Sequence, residues 1–522
     1  MIIKNFFHIS KKKISVKFQQ PLFNNIILFV VSGCFVLGFA PFNYVIIAML
    51  ALIITTFCLL QSKCIQEVLI KSYIISCGFS IFGFYWIINS SMYIFHNYLL
   101  ALLILGGFTL LYTCFIFPSA YLIYKAPKQG YLLYIYVFVA WWVGDILKEY
   151  LFGGLPWFRL SYLWTENLYI LQNVAVFGTF GLSFITLGLI TGLFFAINST
   201  IGGYKRFLPL VIMLFIFGVL WFYGWQRVHS RTHYFGKTIS LRLVQPNISQ
   251  ADKLNPEEVL HNFYNTINLT FANINDKNLD YIVLPEVAFS FILENYPNLY
   301  NQLIKKIPPK TKLIMGALRV ENNQYFNSAY ILDKQGNRLA YYDKKKLVPF
   351  GEYIPFSKYL PFLSTFTGVS NLTQGYIDNT IILDEFSFVA LICFEGVFDS
   401  TNMGVSKIDF LLNLSNEGWF DESIEISQNL AMYKVRAIET GVTSIKVSNR
   451  GPSVIINSLG QVTQTTEAYR QQILDAKFKL EKRQTLYANI NNKLMDNFII
   501  MLSGLLYVIM LGLGSKRKFS YA

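Results

Sequence analysis

The sequence predicts two unlike parts, namely a polytopic α-helical membrane domain of about eight transmembrane helices and an α/β domain outside the membrane. Three observations carry this prediction. Only 14% of the 522 residues are charged and 54% are hydrophobic, whereas soluble globular chains carry about 25% charge. Long stretches lack any Asp, Glu, Lys or Arg. From about 227 to 495, apolar runs of strand length alternate with polar segments.

The uncharged stretches have the length of membrane spans. They cover 21–62, 72–124, 167–204 and 207–226, and a helix needs roughly 20 apolar residues to cross the hydrocarbon. The two longest stretches must each hold two helices, and turn-forming residues at 40–43 and near 89–91 mark the divisions. Together with 130–147, which carries the lone carboxylate Asp145 near its end, these stretches predict seven spans before residue 227. A further uncharged run at 497–515 predicts the eighth.

The resulting domains are an N-terminal membrane domain at 1–226, an α/β domain at 227–495 and a C-terminal helix with its tail at 496–522. The net charge is +14, which suits nucleic acid or an anionic membrane surface. Basic clusters before the first span, between alternate spans and after the last all fall on one side. By the positive-inside rule both termini are cytoplasmic, and the α/β domain faces the opposite side. The basic residues therefore indicate topology rather than nucleic-acid binding.

The cysteines and histidines indicate which residues could act as a nucleophile or as metal ligands. Of six cysteines, only Cys393 lies in the α/β domain, so it is a candidate nucleophile or a buried structural thiol. His229 and His233 have the spacing of a helical metal pair, but no third ligand stands nearby. The sequence predicts neither a metal nor a cofactor.

Three segments end in reactive residues. The first, 281–286, ends at Glu286; the second, 342–352, contains Lys344 and Glu352; the third, 386–395, contains Cys393. Strands whose reactive residues follow their carboxyl ends bring those residues into one crevice. There a carboxylate can deprotonate a thiol, and an ammonium can lower the thiol pKa and stabilise an oxyanion. The set predicts acyl transfer.

These segments resemble the motifs of a known family. Leu-Pro-Glu at 284–286, Tyr-Asp-Lys-Lys-Lys-Leu-Val-Pro-Phe-Gly-Glu at 342–352 and Ile-Cys-Phe-Glu at 392–395 are similar to the Glu-Lys-Cys motifs of the nitrilase superfamily. With seven spans before and one after, the chain resembles the apolipoprotein N-acyltransferase family. The resemblance implies a nitrilase-like αββα sandwich, with Glu286 as general base, Lys344 as catalytic lysine and Cys393 as nucleophile.

The resemblance also assigns supporting residues. Glu352 matches a second glutamate that supports the lysine and the tetrahedral intermediate, and Glu395 matches a further functional carboxylate. Phe394 stands where the family often has Tyr, and Leu254 stands near an expected Trp on a substrate-gating segment. Both departures remove a polar or aromatic group that the family pattern supplies.

The function implied is transfer of an acyl chain from a phospholipid, through a Cys393 thioester, to the N-terminal amine of a diacylglyceryl-cysteine apolipoprotein. The expected location is the bacterial inner membrane, with a periplasmic catalytic domain and a monomeric protein that binds no nucleic acid. Two alternatives stay open. The same triad would serve a membrane-anchored amidase or nitrilase, and the α/β domain of a transporter or receptor would only bind ligand.

Overall fold

The computed structural model describes residues 21–230, 234–274, 277–354, 372–383, 386–398, 408–490, 496–501 and 504. Apolar helices come first along the chain. These helices are α1 Pro21–Cys34, α2 Val45–Leu60, α3 Ile65–Gly83, α4 Ile87–Phe95, α5 Tyr98–Lys125, α6 Tyr131–Tyr150, α7 Leu168–Leu171, α8 Val174–Asn198 and α9 Leu208–His229.

The number of membrane spans is only partly tested. Five helices of the described ranges are long and apolar enough to cross a bilayer, and these are Ile65–Gly83, Tyr98–Lys125, Tyr131–Gly153, Val174–Asn198 and Gly203–His229. The first two predicted spans correspond to shorter apolar helices, Phe23–Gly38 and Val45–Leu60. Most of the predicted last span lies outside the described residues. The count of eight therefore stays a prediction.

The predicted division of 72–124 falls between the two long helices α3 and α5, and residues 89–91 themselves lie in the short helix α4 between them. Their polar side chains find partners without breaking the helix: Ser90 Oγ donates to the Ile87 carbonyl at 3.2 Å, and Asn89 Nδ2 donates to the Phe420 carbonyl at 2.9 Å. The chain turns later, at His96, which has φ 48°. Asn97 then caps α5 by accepting from the Leu100 amide.

Two six-stranded sheets form the α/β domain. The first has the order β12-β1-β2-β3-β4-β5 and the second β11-β10-β9-β8-β7-β6. The strands are β1 Tyr234–Gln245, β2 Tyr281–Val283, β3 Lys312–Glu321, β4 Gln324–Leu332, β5 Arg338–Asp343, β6 Thr380–Leu383, β7 Phe386–Ile392, β8 Phe410–Ser415, β9 Thr443–Ser448, β10 Val454–Ile456, β11 Val462–Thr465 and β12 Gln472–Glu481. Helices α10 Gln250–Leu254, α11 Val259–Thr270, α12 Pro297–Lys306, α13 Glu425–Thr440 and α14 Leu486–Asn489 complete the domain.

The sheets pack face to face, with helices on their outer faces. Alternate residues of facing strands, such as Leu241 of β1 and Leu412 of β8, share one buried cluster, as the two-residue period of strands requires. Phe263 of α11 and Leu303 of α12 pack on the other face of the first sheet. Tyr433 of α13 packs on the second sheet. This arrangement is the predicted αββα sandwich.

Helix α13 joins the two parts of the protein. Its Ala437 packs on β10, whereas its Met432, Val435 and Ile438 belong to the buried cluster of the membrane helices. Such a helix is apolar on two sides because it is covered on two sides.

The joint also contains a buried charge. Helix α8 breaks at Gly178, which has φ 64°, and the amide of Thr179 restarts it. Glu439 Oε1 accepts from that amide at 3.0 Å, so a carboxylate of the α/β domain caps a membrane helix. Arg436, fully buried, pairs with Glu439 Oε2 at 2.8 Å.

We expect Glu439→Ala to destabilise the protein strongly. The change removes the cap of α8 and takes a carboxylate from a buried guanidinium, and breaking a buried pair in this way costs about 3–5 kcal/mol. Thermal unfolding in detergent measures the effect. The control is Glu467→Ala, because Glu467 pairs with Arg470 at the exposed surface, where such pairs contribute about 0–1 kcal/mol. Equal melting temperatures for the two variants would contradict the assignment.

Candidate active site

The three reactive residues follow strands that end at one edge of the sandwich. Glu286 comes after β2, Lys344 directly after β5 and Cys393 directly after β7. Strands β2 and β3 are parallel, and two antiparallel steps through β4 give β5 the same direction. The carboxyl ends of β2 and β5 therefore lie at the same edge of the first sheet, and the hydrogen bond from Tyr342 of β5 to Glu395 joins this edge to the turn after β7.

Lys344 is the centre of the cluster. Its ammonium is buried and donates to Glu352 Oε1 at 2.9 Å and to Glu286 Oε1 at 3.3 Å. Burial alone would lower the pKa of Lys344, but the two carboxylates raise it above its ordinary value. The lysine is thus a permanent cation. Glu352 is fixed in turn, since its Oε2 accepts from the Val348 amide at 2.8 Å.

The two carboxylate oxygens of Glu286 have different surroundings. Its Oε1 accepts from Asn327 Nδ2 at 2.8 Å as well as from Lys344, whereas its buried Oε2 has no hydrogen-bond partner among the described residues. Gly316 of β3 lies against the backbone of this turn, and a Cβ there would meet the Pro285 carbonyl oxygen at 2.5 Å. Glu286 is therefore held rigidly, with one oxygen available to take a proton.

Cys393 lies on a strained turn. Its φ is 50°, which a residue with a Cβ rarely adopts. The Cys393 carbonyl accepts from Tyr433 Oη at 2.8 Å and from Asn413 Nδ2 at 3.1 Å, and these two buried donors fix the turn. Strain of this kind persists only where the surroundings enforce it, and it is concentrated at functional sites.

The thiol of Cys393 is neutral at rest. It is partly exposed, yet the protein around it desolvates the thiolate. Burial first, and then the charge of Glu286, raise the pKa of the thiol well above its ordinary value, while Lys344 and the Asn416 amide lower it. A thiol in this state needs a base to become a nucleophile.

Glu395 accepts hydrogen bonds from two turns of the site. Its Oε1 accepts from Tyr342 Oη at 2.7 Å and from the amides of Lys345 and Lys346, and its Oε2 accepts from the Ile392 amide. One buried carboxylate thus ties the turn after β5 to the turn after β7. The pKa of Glu395 is raised by burial, against these hydrogen bonds, which lower it.

Phe394 faces the membrane domain. Its ring stacks on Trp157 of the loop after α6, with centroids 6.1 Å apart and planes at 13°. Trp157 Nε1 donates to Gln428 Oε1 of α13 at 2.8 Å. Beside the candidate nucleophile, an apolar wall therefore continues into the membrane helices.

The remaining predicted residues lie elsewhere. Leu254 is 51% exposed, and Asp145 pairs with Lys148 on α6 at 2.8 Å. Within the described ranges no group of three His, Cys, Asp or Glu side chains could hold a metal. His229 Nδ1 donates to the Trp225 carbonyl of its own helix at 2.8 Å, and His233 lies outside the described residues.

Sequence reasoning missed several residues of the site. Asn327 Nδ2 bridges Glu286 and Glu352 at 2.8 and 2.9 Å, and an amide in the middle of strand β4 was a usable signal. Lys253 of α10 is buried and donates to the Glu286 carbonyl at 3.2 Å. Tyr433, on a helix 40 residues beyond the cysteine, carries no local pattern that marks it.

Comparison with known proteins gives the family. Residues 31–192 match the model of the apolipoprotein N-acyltransferase N-terminal domain, and residues 240–488 match that of carbon-nitrogen hydrolases. An apolipoprotein N-acyltransferase of Rickettsia bellii is 30% identical over 93% of this chain and 98% of its own length. One from Haemophilus influenzae is 27% identical over 92% and 93%.

Among solved structures, an amidase from Nesterenkonia sp. covers 50% of this chain and 96% of its own, with 16% identity and a TM-score of 0.37. The full-length relatives and the two domain models in register carry the assignment: this chain belongs to the apolipoprotein N-acyltransferase family.

Proposed function

We propose that the protein transfers a fatty acyl chain from a phospholipid to the N-terminal α-amine of a diacylglyceryl-cysteine apolipoprotein, through a thioester on Cys393. The observation that carries this proposal is the contact between the nucleophile turn and the membrane loop, where Phe394 stacks on Trp157. A site for soluble amides has no need of such a wall. A site for a lipid must continue into apolar surface, since its substrate keeps its chains in the bilayer.

The first step forms the acyl-enzyme. Glu286 takes the thiol proton on its free Oε2, and the Cys393 sulfur attacks the ester carbonyl. Lys344, a fixed cation, and the Asn416 amide stabilise the negative charge on sulfur and on the carbonyl oxygen. The C–O bond then breaks, and the lysophospholipid leaves with the proton from Glu286.

The second step uses the same groups in reverse. The α-amine attacks the thioester, Glu286 removes a proton from the attacking nitrogen, and the C–S bond breaks. The thiolate recovers a proton from Glu286, which restores the resting site. Glu352 holds Lys344 in place throughout at 2.9 Å, whereas Glu395 acts as a positioning residue for the two turns.

The proposal includes a place in the cell. The protein spans a bacterial membrane with its α/β domain, 227–495, on the periplasmic side of the inner membrane and with both termini in the cytoplasm, as the basic clusters indicate. There it works as a monomer on two membrane-held substrates. The amidase alternative is not favoured, because the similarity to acyltransferases covers the membrane domain as well as the hydrolase-like domain.

Incubation with phospholipid followed by intact-mass analysis tests the function. We expect the wild type to gain one acyl chain that hydroxylamine removes, and Cys393→Ala to gain none while still inserting in the membrane. Cys114→Ala is the matched control, because this exposed thiol lies on α5. An acylated, active Cys393→Ala protein would contradict the proposal. Release of ammonia from a soluble amide, with no acyl adduct formed from phospholipid, would also contradict it.

Glu286→Gln should separate thiol ionisation from catalysis. The change removes a negative charge that raises the pKa of Cys393, so iodoacetamide should alkylate the variant at lower pH than the wild type. Acylation by phospholipid should nevertheless fall about 10²–10⁴-fold, since the general base is gone.

The pH profile of alkylation and the rate of acyl-enzyme formation measure the two effects of Glu286→Gln. The exposed Glu294→Gln should change neither. Loss of both reactions in Glu286→Gln would show that Glu286 only shapes the site.

A further inference from the structure

Near the thiol is a second buried lysine that the mechanism above does not use. Lys253 is 6% exposed, and its charge acts on both the Glu286 carboxylate and the Cys393 thiol. Its one hydrogen-bond acceptor among the described residues is the Glu286 carbonyl at 3.2 Å, and none of the ion pairs between described residues includes it. An ammonium has three N–H groups, so two remain without a described partner.

This position is expensive to maintain. Burying a charge without a hydrogen-bonded counter-ion is unfavourable, and burial lowers the pKa of Lys253 to about 8, although Glu286 and Cys393 act to raise it. Lys344, by contrast, has two carboxylates within 3.3 Å. Among the described residues, therefore, no carboxylate contacts the buried ammonium of Lys253.

The surrounding chain fixes Lys253 at this place. Gln250, on the same short helix, is buried and accepts from Asn416 Nδ2 at 3.1 Å. Asn449 Nδ2 donates to the Ile248 carbonyl at 2.8 Å and to Asn416 Oδ1 at 2.9 Å. The segment after β1 is thus tied to the turns after β8 and β9. These hydrogen bonds hold the helix that carries Lys253 against the site.

We propose that Lys253 binds an anionic oxygen of the acyl donor beside Cys393. This inference rests on the proposed function. A negatively charged oxygen supplies the missing counter-ion and accepts the two remaining N–H groups. Two oxygens of the donor have this chemistry: the carbonyl oxygen that becomes negative during thiol attack, and the phosphate oxygen of the headgroup. In the resting site, the Glu286 carbonyl only holds the lysine ready.

Three variants separate charge from hydrogen bonding. Lys253→Met loses both, Lys253→Gln keeps a donor for the Glu286 carbonyl, and Lys253→Arg keeps the charge. The full-length protein in detergent is mixed with phosphatidylglycerol, and acyl-enzyme formation is timed by intact mass. We expect Lys253→Met and Lys253→Gln to acylate about 10²-fold more slowly, with Lys253→Arg substantially restored. The exposed Lys305→Met is the matched control and should acylate at the wild-type rate.

A phosphate-free ester, p-nitrophenyl palmitate, identifies the oxygen. If Lys253→Met is acylated more slowly by both donors, Lys253 binds the carbonyl oxygen. If it is acylated more slowly by phosphatidylglycerol alone, Lys253 binds the phosphate. The pH dependence gives a second readout. Lys253 loses its proton as the pH rises through about 8, whereas Arg stays charged, so the ratio of the Lys253→Arg rate to the wild-type rate should rise across that pH.

Two results would overturn the inference. The first is acylation of Lys253→Met at the wild-type rate with both donors. The second is acylation of Lys253→Gln as fast as that of Lys253→Arg, which would show that Lys253 only supports the turn at Glu286. A wild type that forms no adduct with either donor would instead refute the proposed function.

Discussion

The ammonium of Lys344 between two carboxylates is the interaction on which the site depends. Its contacts to Glu286 and Glu352 join the turns after β2 and β5, and Asn327 closes the same group from β4. Buried charges are tolerated where opposite charges and hydrogen bonds surround them, as they are here. The geometry of the base and the charge at the nucleophile are therefore set by one network.

That network also determines how the thiol behaves. A resting thiolate beside Glu286 would put two negative charges in a poorly solvated place, so the proton stays on sulfur until a substrate arrives. The strained turn at Cys393 and the carboxylate of Glu395 behind it keep the sulfur in position meanwhile. Reactivity is thus tied to the removal of one proton from the thiol.

Local patterns predicted an α/β domain and the reactive strand ends, whereas the αββα sandwich followed from the resemblance to the nitrilase superfamily. Apolar strands ending in Glu286, Lys344 and Cys393 are visible in short segments, and parallel strands bring such ends together. Residues that reach the site from elsewhere, such as Lys253 and Tyr433, were missed because their burial depends on tertiary contacts. The same limit explains why the short helix α4 between α3 and α5 was not predicted, since its Asn89 has its hydrogen-bond acceptor in a residue 331 positions away.

The two-sided burial of α13 has a consequence for how the protein can be handled. Met432, Val435 and Ile438 are buried in the cluster that contains the membrane helices. An excised hydrolase-like domain would expose this row as an apolar patch, which is the usual origin of aggregation. Biochemical work on this domain therefore belongs with the membrane helices in place, in detergent or in nanodiscs.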